Sequence, residues 1–287
     1  MTCFVILHYM ITEETKKCID SIKKLKGEKK IIVIDNASSN NSGQELKKIY
    51  KNDQDIAVIL NKKNAGFANG NNIGYKEAKK YNPEYIVILN NDTEIVQEDF
   101  IERIRNIYIK EHYALLSPCI YSTKQKIYQS PKRTKSLTYN DVVKLKEEYR
   151  KKQKSKFIVP IKCFFKKFQV LKMLVKSKKS AIDYEKKYYN VPMHGSAVVF
   201  SKDFIEKMEK AFYSKTFMYY EMEILDYICH KEKLKEIYEP SIKVLHHHSV
   251  SSNKTFGNEL KKVRFINKCI YDSLTEYEKL IKRRGEI

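Results

Sequence analysis

Three polar clusters in this 287-residue chain each sit at the end of an apolar run, where carboxylates and amides can meet a ligand. Asp35-Asn36 closes IIVIDN, Asn61 to Asn72 follows IAVIL, and Asn90-Asn91-Asp92 closes YIVILNND. A carboxylate at position 35 can accept from a base N–H or a ribose hydroxyl. It can equally close an Asx turn with the Ser and Asn that follow. Asp92 can hold a divalent cation through one or two oxygens, with a diphosphate completing the octahedron. Such a cation offsets charge on a departing diphosphate; the plainer alternative is a helix-capping acid. Gly66, Gly70 and Gly74 lie four apart. They would let backbone approach a ligand, and a helix starting near Ala68 would turn N–H groups toward it; a glycine-eased helix–sheet contact is the alternative. The pattern is neither a Walker loop nor G-x-G-x-x-G, which argues against an ATPase or a hydride-transfer enzyme.

Three further segments carry titratable groups. His194-Gly195-Ser196 precedes a strand-like run, and FMYYEMEILDY (217–227) holds Glu221, Glu223 and Asp226. On a helix Glu223 and Asp226 share a face, and a carboxylate among aromatic rings gains proton affinity, which suits a general base. Acids in a solvated first helical turn would look the same. IKVLHHHSVSS (242–252) places His246 at a strand end, as a metal ligand or a donor to phosphate.

The elements that must position these groups follow from periodicity. CFVIL (3–7), IIVID (31–35), IAVIL (56–60) and YIVIL (85–89) read as buried strands, with helices expected around 13–26, 43–51, 68–80 and 97–111. Continuous Val/Ile/Leu strands alternating with helices predict an α/β fold: a mostly parallel sheet covered on both faces, with ligands beyond the strand carboxyl ends. The pattern resumes at SAVVF (196–200), with a helix around 202–210 and a strand at 242–245.

Read in order, the motifs IDN, NAGFANGNN, LNND, HGS, the aromatic–acidic segment and VLHHHSVSS resemble family 2 glycosyltransferases, closest to bacterial rhamnosyltransferase-like members that build surface polysaccharide. The resemblance spans 3–121 and 192–256 and is poor between 130 and 190. It implies a GT-A fold with a basic helical insert and a C-terminal helical tail. Its parts would be a Rossmann-like nucleotide-sugar-binding half at 1–125, the insert at 126–190, an acceptor-binding and catalytic half at 191–255 and the tail at 256–287.

Carried over residue by residue, it implies that His8, Asp35, Asn64, Gly66, Phe67, Asn71, Asn72, Asn90 and Asn91 bind the nucleotide sugar. Asp92 and His246 would hold Mg2+ or Mn2+, and His194, Gly195 and Tyr219 would bind the acceptor. Glu221 would be the catalytic base, with Glu223 the alternative. Asn90 stands where a first metal-binding acid is common, and Glu221-Met222-Glu223 replaces a usual Glu-Glu-Asp. The implied reaction is inverting transfer from a UDP- or dTDP-sugar to a saccharide acceptor, lipid-linked in such systems.

The net charge of +21 needs an anionic partner or surface, with a Lys-rich proteome bias as the plain explanation. FIVPIKCFFKKFQVLKMLV (157–175), drawn as a helix, places Phe157, Ile161, Phe164, Phe168, Leu171 and Val175 on one face. That profile suits a helix lying on an anionic membrane, or an ordinary core helix with a solvated Lys face. Six cysteines without a Cys-x-x-Cys pair, and no secretory signal, predict a cytoplasmic enzyme on the inner face of the membrane. Two rivals stay open at this level. A basic nucleic-acid-binding protein lacks any module signature, and a non-catalytic sugar-nucleotide-binding protein would bind donor without turning it over.

Overall fold

A computed structural model describes residues 1–154, 182–247 and 259–283. The segment 157–175, with its expected membrane-facing helix, lies outside them. Strands β1 (Thr2–His8), β2 (Lys29–Asp35), β3 (Ile56–Leu60) and β4 (Tyr85–Asn90) alternate with helices α1 (Thr12–Lys23), α2 (Ser42–Ile49) and α3 (Gly66–Lys79). Then come β5 (Thr93–Ile95), α4 (Phe100–Glu111), β6 (Leu115–Ser122), β7 (Ile127–Tyr128) and α5 (Tyr139–Lys154). After the undescribed stretch follow β8 (Tyr188–Tyr189), β9 (Ala197–Ser201), α6 (Lys202–Lys207), α7 (Glu221–Lys231), β10 (Glu236–His246) and α8 (Glu259–Arg283).

One sheet runs through both expected halves, in the order β3-β2-β1-β4-β9-β6-β10-β5, with β7 on β6 and β8 on β10. Its β1–β4 core is parallel, and β10 pairs parallel with β6. The strand β9 runs antiparallel between β4 and β6. That reversal matters for the site. It puts the start of β9, after His194-Gly195-Ser196, on the same sheet edge as the ends of β1, β2, β4 and β10.

Continuous apolar strands demand cover on two faces. Phe4, Ile31, Val33, Val87 and Val199 pack under α1 and α4, while Val5, Ile32, Ile86, Val198 and Phe200 pack under α3, α6 and α7. Each such side chain contributes about 1.5–3 kcal/mol on burial. The helix α7 is apolar on both sides. Met222, Leu225 and Cys229 face the sheet, whereas Ile224, Tyr227 and Ile228 meet Ile270, Leu274 and Tyr277 of α8. The basic C-terminal tail is thus the outer cover of the helix that carries the acids.

Two local expectations change. A short strand, β5, pairs with β10 directly after Asp92, and helix α4 begins only at Phe100 with Asp99 at its cap. Asp92 is therefore not a helix cap. Helix α3 begins at Gly66 rather than near Ala68. Gly66 has φ +76°, and a Cβ there would lie 2.2 Å from the Phe217 carbonyl oxygen. Both strain and overlap oppose any side chain, so Gly66→Ala should lower the unfolding free energy by about 2 kcal/mol or more. Urea denaturation followed by far-UV circular dichroism measures that loss.

Candidate active site at the carboxyl edge of the sheet

At the end of β4, Asp92 Oδ1 lies 3.2 Å from His246 Nε2 at the end of β10, and both residues are buried. The register makes this pair, because His246 sits opposite Thr93 of β5. His246 Nδ1 lies 2.7 Å from Gln129 Oε1. An amide oxygen there accepts from Nδ1–H, so Nε2 faces the carboxylate either protonated or as a ligand nitrogen. Two neighbouring ligands of one octahedral cation stand about 3 Å apart, so the pair fits a divalent ion. Among the described residues no cluster of three or more His, Cys, Asp or Glu could hold a metal. Diphosphate and water oxygens would have to complete the shell, as is usual for Mg2+.

His194 stands beside this pair, its ring centroid 5.7 Å from that of His246. Its Nδ1 takes the Ser196 amide at 3.3 Å and the Ser196 hydroxyl at 2.9 Å. That fixes the tautomer with the proton on Nε2. A Cβ at Gly195 would touch Phe67 at 3.3 Å and Met222 at 3.4 Å, so the glycine lets the start of α7 approach the edge.

Glu221 opens α7 and Glu223 follows two residues later, both buried. Their surroundings differ. Glu223 Oε1 accepts from Lys132 Nζ at 2.8 Å. Glu221 Oε1 and the second Glu223 oxygen, Oε2, have no hydrogen-bond partner among the described residues. Burial pushes the Glu221 carboxyl up to about 7, with its own amide and Lys132 pulling the other way and Glu223 adding to the rise. Asp226, on the face shared with Glu223, lies deeper. It accepts from Ser136 Oγ at 3.2 Å and forms a buried acid pair with Glu236, both raised by burial.

Tyr219 and Tyr220, just before Glu221, both have positive φ, +75° and +65°. Backbone strain of this kind concentrates at functional sites. The Tyr219 ring packs into the cluster shared with α5 and α8. What it lends the edge is therefore the placement of the Glu221 backbone.

At the β1 and β2 ends, the buried Thr15 hydroxyl joins His8 and Asn91, and Asp35 Oδ1 lies 4.0 Å from His8 Nε2. His8 bonds Thr15 Oγ1 at 2.6 Å and Ser42 Oγ at 2.9 Å, and Asn91 Nδ2 donates to the same Thr15 at 3.1 Å. Burial lowers His8 to about 4, opposed by the charges of Asp35 and Glu45, so it stays neutral near pH 7. Asp35 accepts from the Ser38 amide and hydroxyl, as an Asx turn does. A Cβ at Gly43 would lie 2.3 Å from its Cγ, so Asp35 rests on the first turn of α2.

The glycine-rich loop behaves differently from a phosphate cradle. Its leading amides are engaged: Gly66 N–H donates to Asn64 Oδ1 at 2.9 Å and Phe67 N–H to the Phe217 carbonyl at 2.7 Å. Asn72 clamps Phe212 through both its amide groups, and Asn71 Nδ2 donates to the Phe67 carbonyl. Asn90 N–H donates to the Ser196 carbonyl, tying β4 to the start of β9.

Sequence reasoning gave no individual role to three residues that organise the edge. Asn36 donates to Asn64 Oδ1 and the Gly66 carbonyl and accepts from Ala65 N–H. Gln129 orients His246, and Lys132 holds Glu223. Asn36 was legible as part of a strand-end cluster. Gln129 and Lys132 lie in a stretch with no motif, and only pairing across the chain brings them in.

Comparison with known proteins bears on the fold and the family. The chain aligns with S. aureus TarS 1–349 at a TM-score of 0.52 and 12% identity, covering 93% of this chain and 64% of that one. GalNAc-T7, solved with UDP, GalNAc and Mn2+, aligns at 0.57 and 14% identity, covering 86% and 44%. The mannosyltransferase PcManGT from Pyrobaculum calidifontis, solved with GDP-Man and Mn2+, aligns at 0.56 and 10% identity, covering 100% and 76%. This chain thus spans under two thirds of the length of TarS 1–349 and of GalNAc-T7. At these identities the likeness establishes the GT-A fold. No curated protein matches the sequence. Residues 3–174 match the profile described as "Glycosyl transferase family 2", well over half of the chain, and the chain therefore belongs to that family.

Proposed function

We propose that the chain transfers a sugar, with inversion, from a nucleotide-diphosphate donor to a saccharide hydroxyl. The observation that carries this is one sheet edge holding two unlike sites. Asp92–His246 suits a cation and a diphosphate, and Glu221 is a carboxyl that burial raises to about 7, while its neighbour Glu223 is paired with Lys132. Glu221 takes the acceptor proton as the acceptor oxygen bonds to the anomeric carbon. The bond from that carbon to the diphosphate breaks, and its electron pair leaves with the diphosphate. Asp92 and His246 would hold Mg2+ or Mn2+, which supplies charge stabilisation to the leaving diphosphate. Asp35, Asn36 and the Asn64 to Asn72 loop border the nucleoside, while His194 and Gly195 line the approach of the acceptor.

The finer assignments rest on the sequence resemblance: a UDP- or dTDP-sugar, rhamnose included, and a lipid-linked acceptor of surface polysaccharide at an anionic membrane. Among the described residues no helix is long and apolar enough to cross a membrane. A thermal-shift screen of UDP-, dTDP- and GDP-sugars with and without Mn2+ tests the donor site. Donor at 100 times its Kd should add about 2.7 kcal/mol of stability, and metal should deepen the shift. A screen with no shift for any sugar nucleotide overturns the proposal. A shift without nucleotide release on adding acceptor would instead favour a non-catalytic sugar-nucleotide-binding protein, for which the Met222 departure speaks.

A further inference from the structure

The stretch from Gln129 to Ser136 is fastened along its length. Gln129 bonds His246, Ser130 Oγ lies 2.6 Å from Ser117 Oγ, Lys132 N–H donates to the Pro192 carbonyl at 2.9 Å, and Ser136 bonds Asp226. It thus runs from the cation pair at one end to the α7 acids at the other. Along its outer side lies an open groove of about 410 Å3, lined by Lys132, Arg133, Thr134, Lys135 and Ser136, with Asp141 opposite.

Three cations line this groove against one acid. The Asp141 carboxylate is engaged at the start of α5, accepting from Thr138 N–H at 3.0 Å and from its hydroxyl at 2.7 Å. Lys132 is paired with Glu223, two residues along α7 from Glu221. Arg133 differs. Its Nε is shielded from solvent and has no hydrogen-bond partner among the described residues, and Glu223 Oε1 is 4.0 Å away. A shielded donor left unbonded is destabilising until a ligand oxygen accepts from it. A guanidinium beside flexible ammonium groups and a serine hydroxyl matches the oxygens of a phosphate.

We propose that this groove binds a phosphate or diphosphate ester carried by the acceptor, holding its sugar hydroxyl toward Glu221. The inference rests on Glu221 marking the acceptor side of the site. The donor's diphosphate belongs to the Asp92–His246 pair, so the groove is a second anion site open while donor product is bound.

The test is calorimetric titration of inorganic pyrophosphate into protein saturated with UDP and Mg2+. The expected result is binding that Arg133→Gln/Lys135→Gln weakens by at least about tenfold, with UDP affinity kept within about threefold. Pyrophosphate that fails to bind the UDP-loaded protein, or binds the double variant equally well, overturns the groove. A second arm uses phosphatidylcholine vesicles doped with phosphatidylglycerol. If the double variant loses vesicle binding yet keeps pyrophosphate affinity, the cations serve a membrane surface and the assignment falls. The two proposals fail separately: a null sugar-nucleotide thermal shift removes the donor reading, whereas the groove is read from the pyrophosphate affinity lost in the double variant, measured with and without UDP.

Discussion

Asp92→Ala should lower glycosyl transfer by about 10²–10³-fold in kcat, the usual cost of removing one group that stabilises developing charge on a leaving oxygen. Asp92 is buried beside His246, so under the proposed function its removal would leave the imidazole alone of the pair to hold the cation. The backbone is held independently, since His247 N–H donates to the Asp92 carbonyl at 2.9 Å. The fold should therefore survive, with an unchanged far-UV spectrum. Nucleotide release measured across a Mn2+ titration checks both points. The variant should need far more metal for its remaining activity, whereas His246→Ala should fall between it and wild type. Turnover within about tenfold of wild type at ordinary metal concentration would place the leaving-group site elsewhere.

Glu221→Gln should cost about 10²–10⁴-fold in kcat, the range for a positioned general base, while donor affinity stays near wild type. Glu223→Gln should cost less, because Glu223 is engaged by Lys132 and its loss acts through that contact. The pH profile separates the two. A base raised to about 7 is protonated on the acid side, so kcat should fall as pH drops below about 7. Stability carries the opposite sign. The native state holds the Glu221 proton more tightly than an unfolded chain titrating near 4.5, so this stabilisation is full below pH 4.5 and is lost as pH rises through about 7. Glu221→Gln should therefore raise Tm relative to wild type above pH 7 and leave it unchanged in acid. A variant that loses activity without moving either profile would make Glu221 a structural acid.

Much of the scaffold was legible because burial on two faces forces continuous apolar strands, and such strands are hard to mistake. Strands at IIVID, IAVIL and YIVIL emerged within a residue or two of their expected limits. The short strand β5 was not legible, since three residues carry no periodicity. It exists because β10 offers an unpaired edge, and that edge also brings His246 to Asp92. The glycine-rich loop shows the reverse error. Its spacing suggested amides aimed at a ligand, but the Phe217 carbonyl, 150 residues further along the chain, takes the Phe67 N–H.

By itself, then, the sequence determined the α/β sheet, the strand ends that carry Asp35 and Asp92, and the family to which their order belongs. Local hydrophobic period and residue type are enough for that. Only the tertiary structure decided that burial raises Glu221 while Lys132 pairs with Glu223, that Gln129 orients His246, and that Lys132 and Arg133 line a groove beside the α7 acids. The physical reason is that a carboxylate's role depends on who shares its hydrogen bonds and how little water reaches it, and both are set by chain segments far apart in sequence.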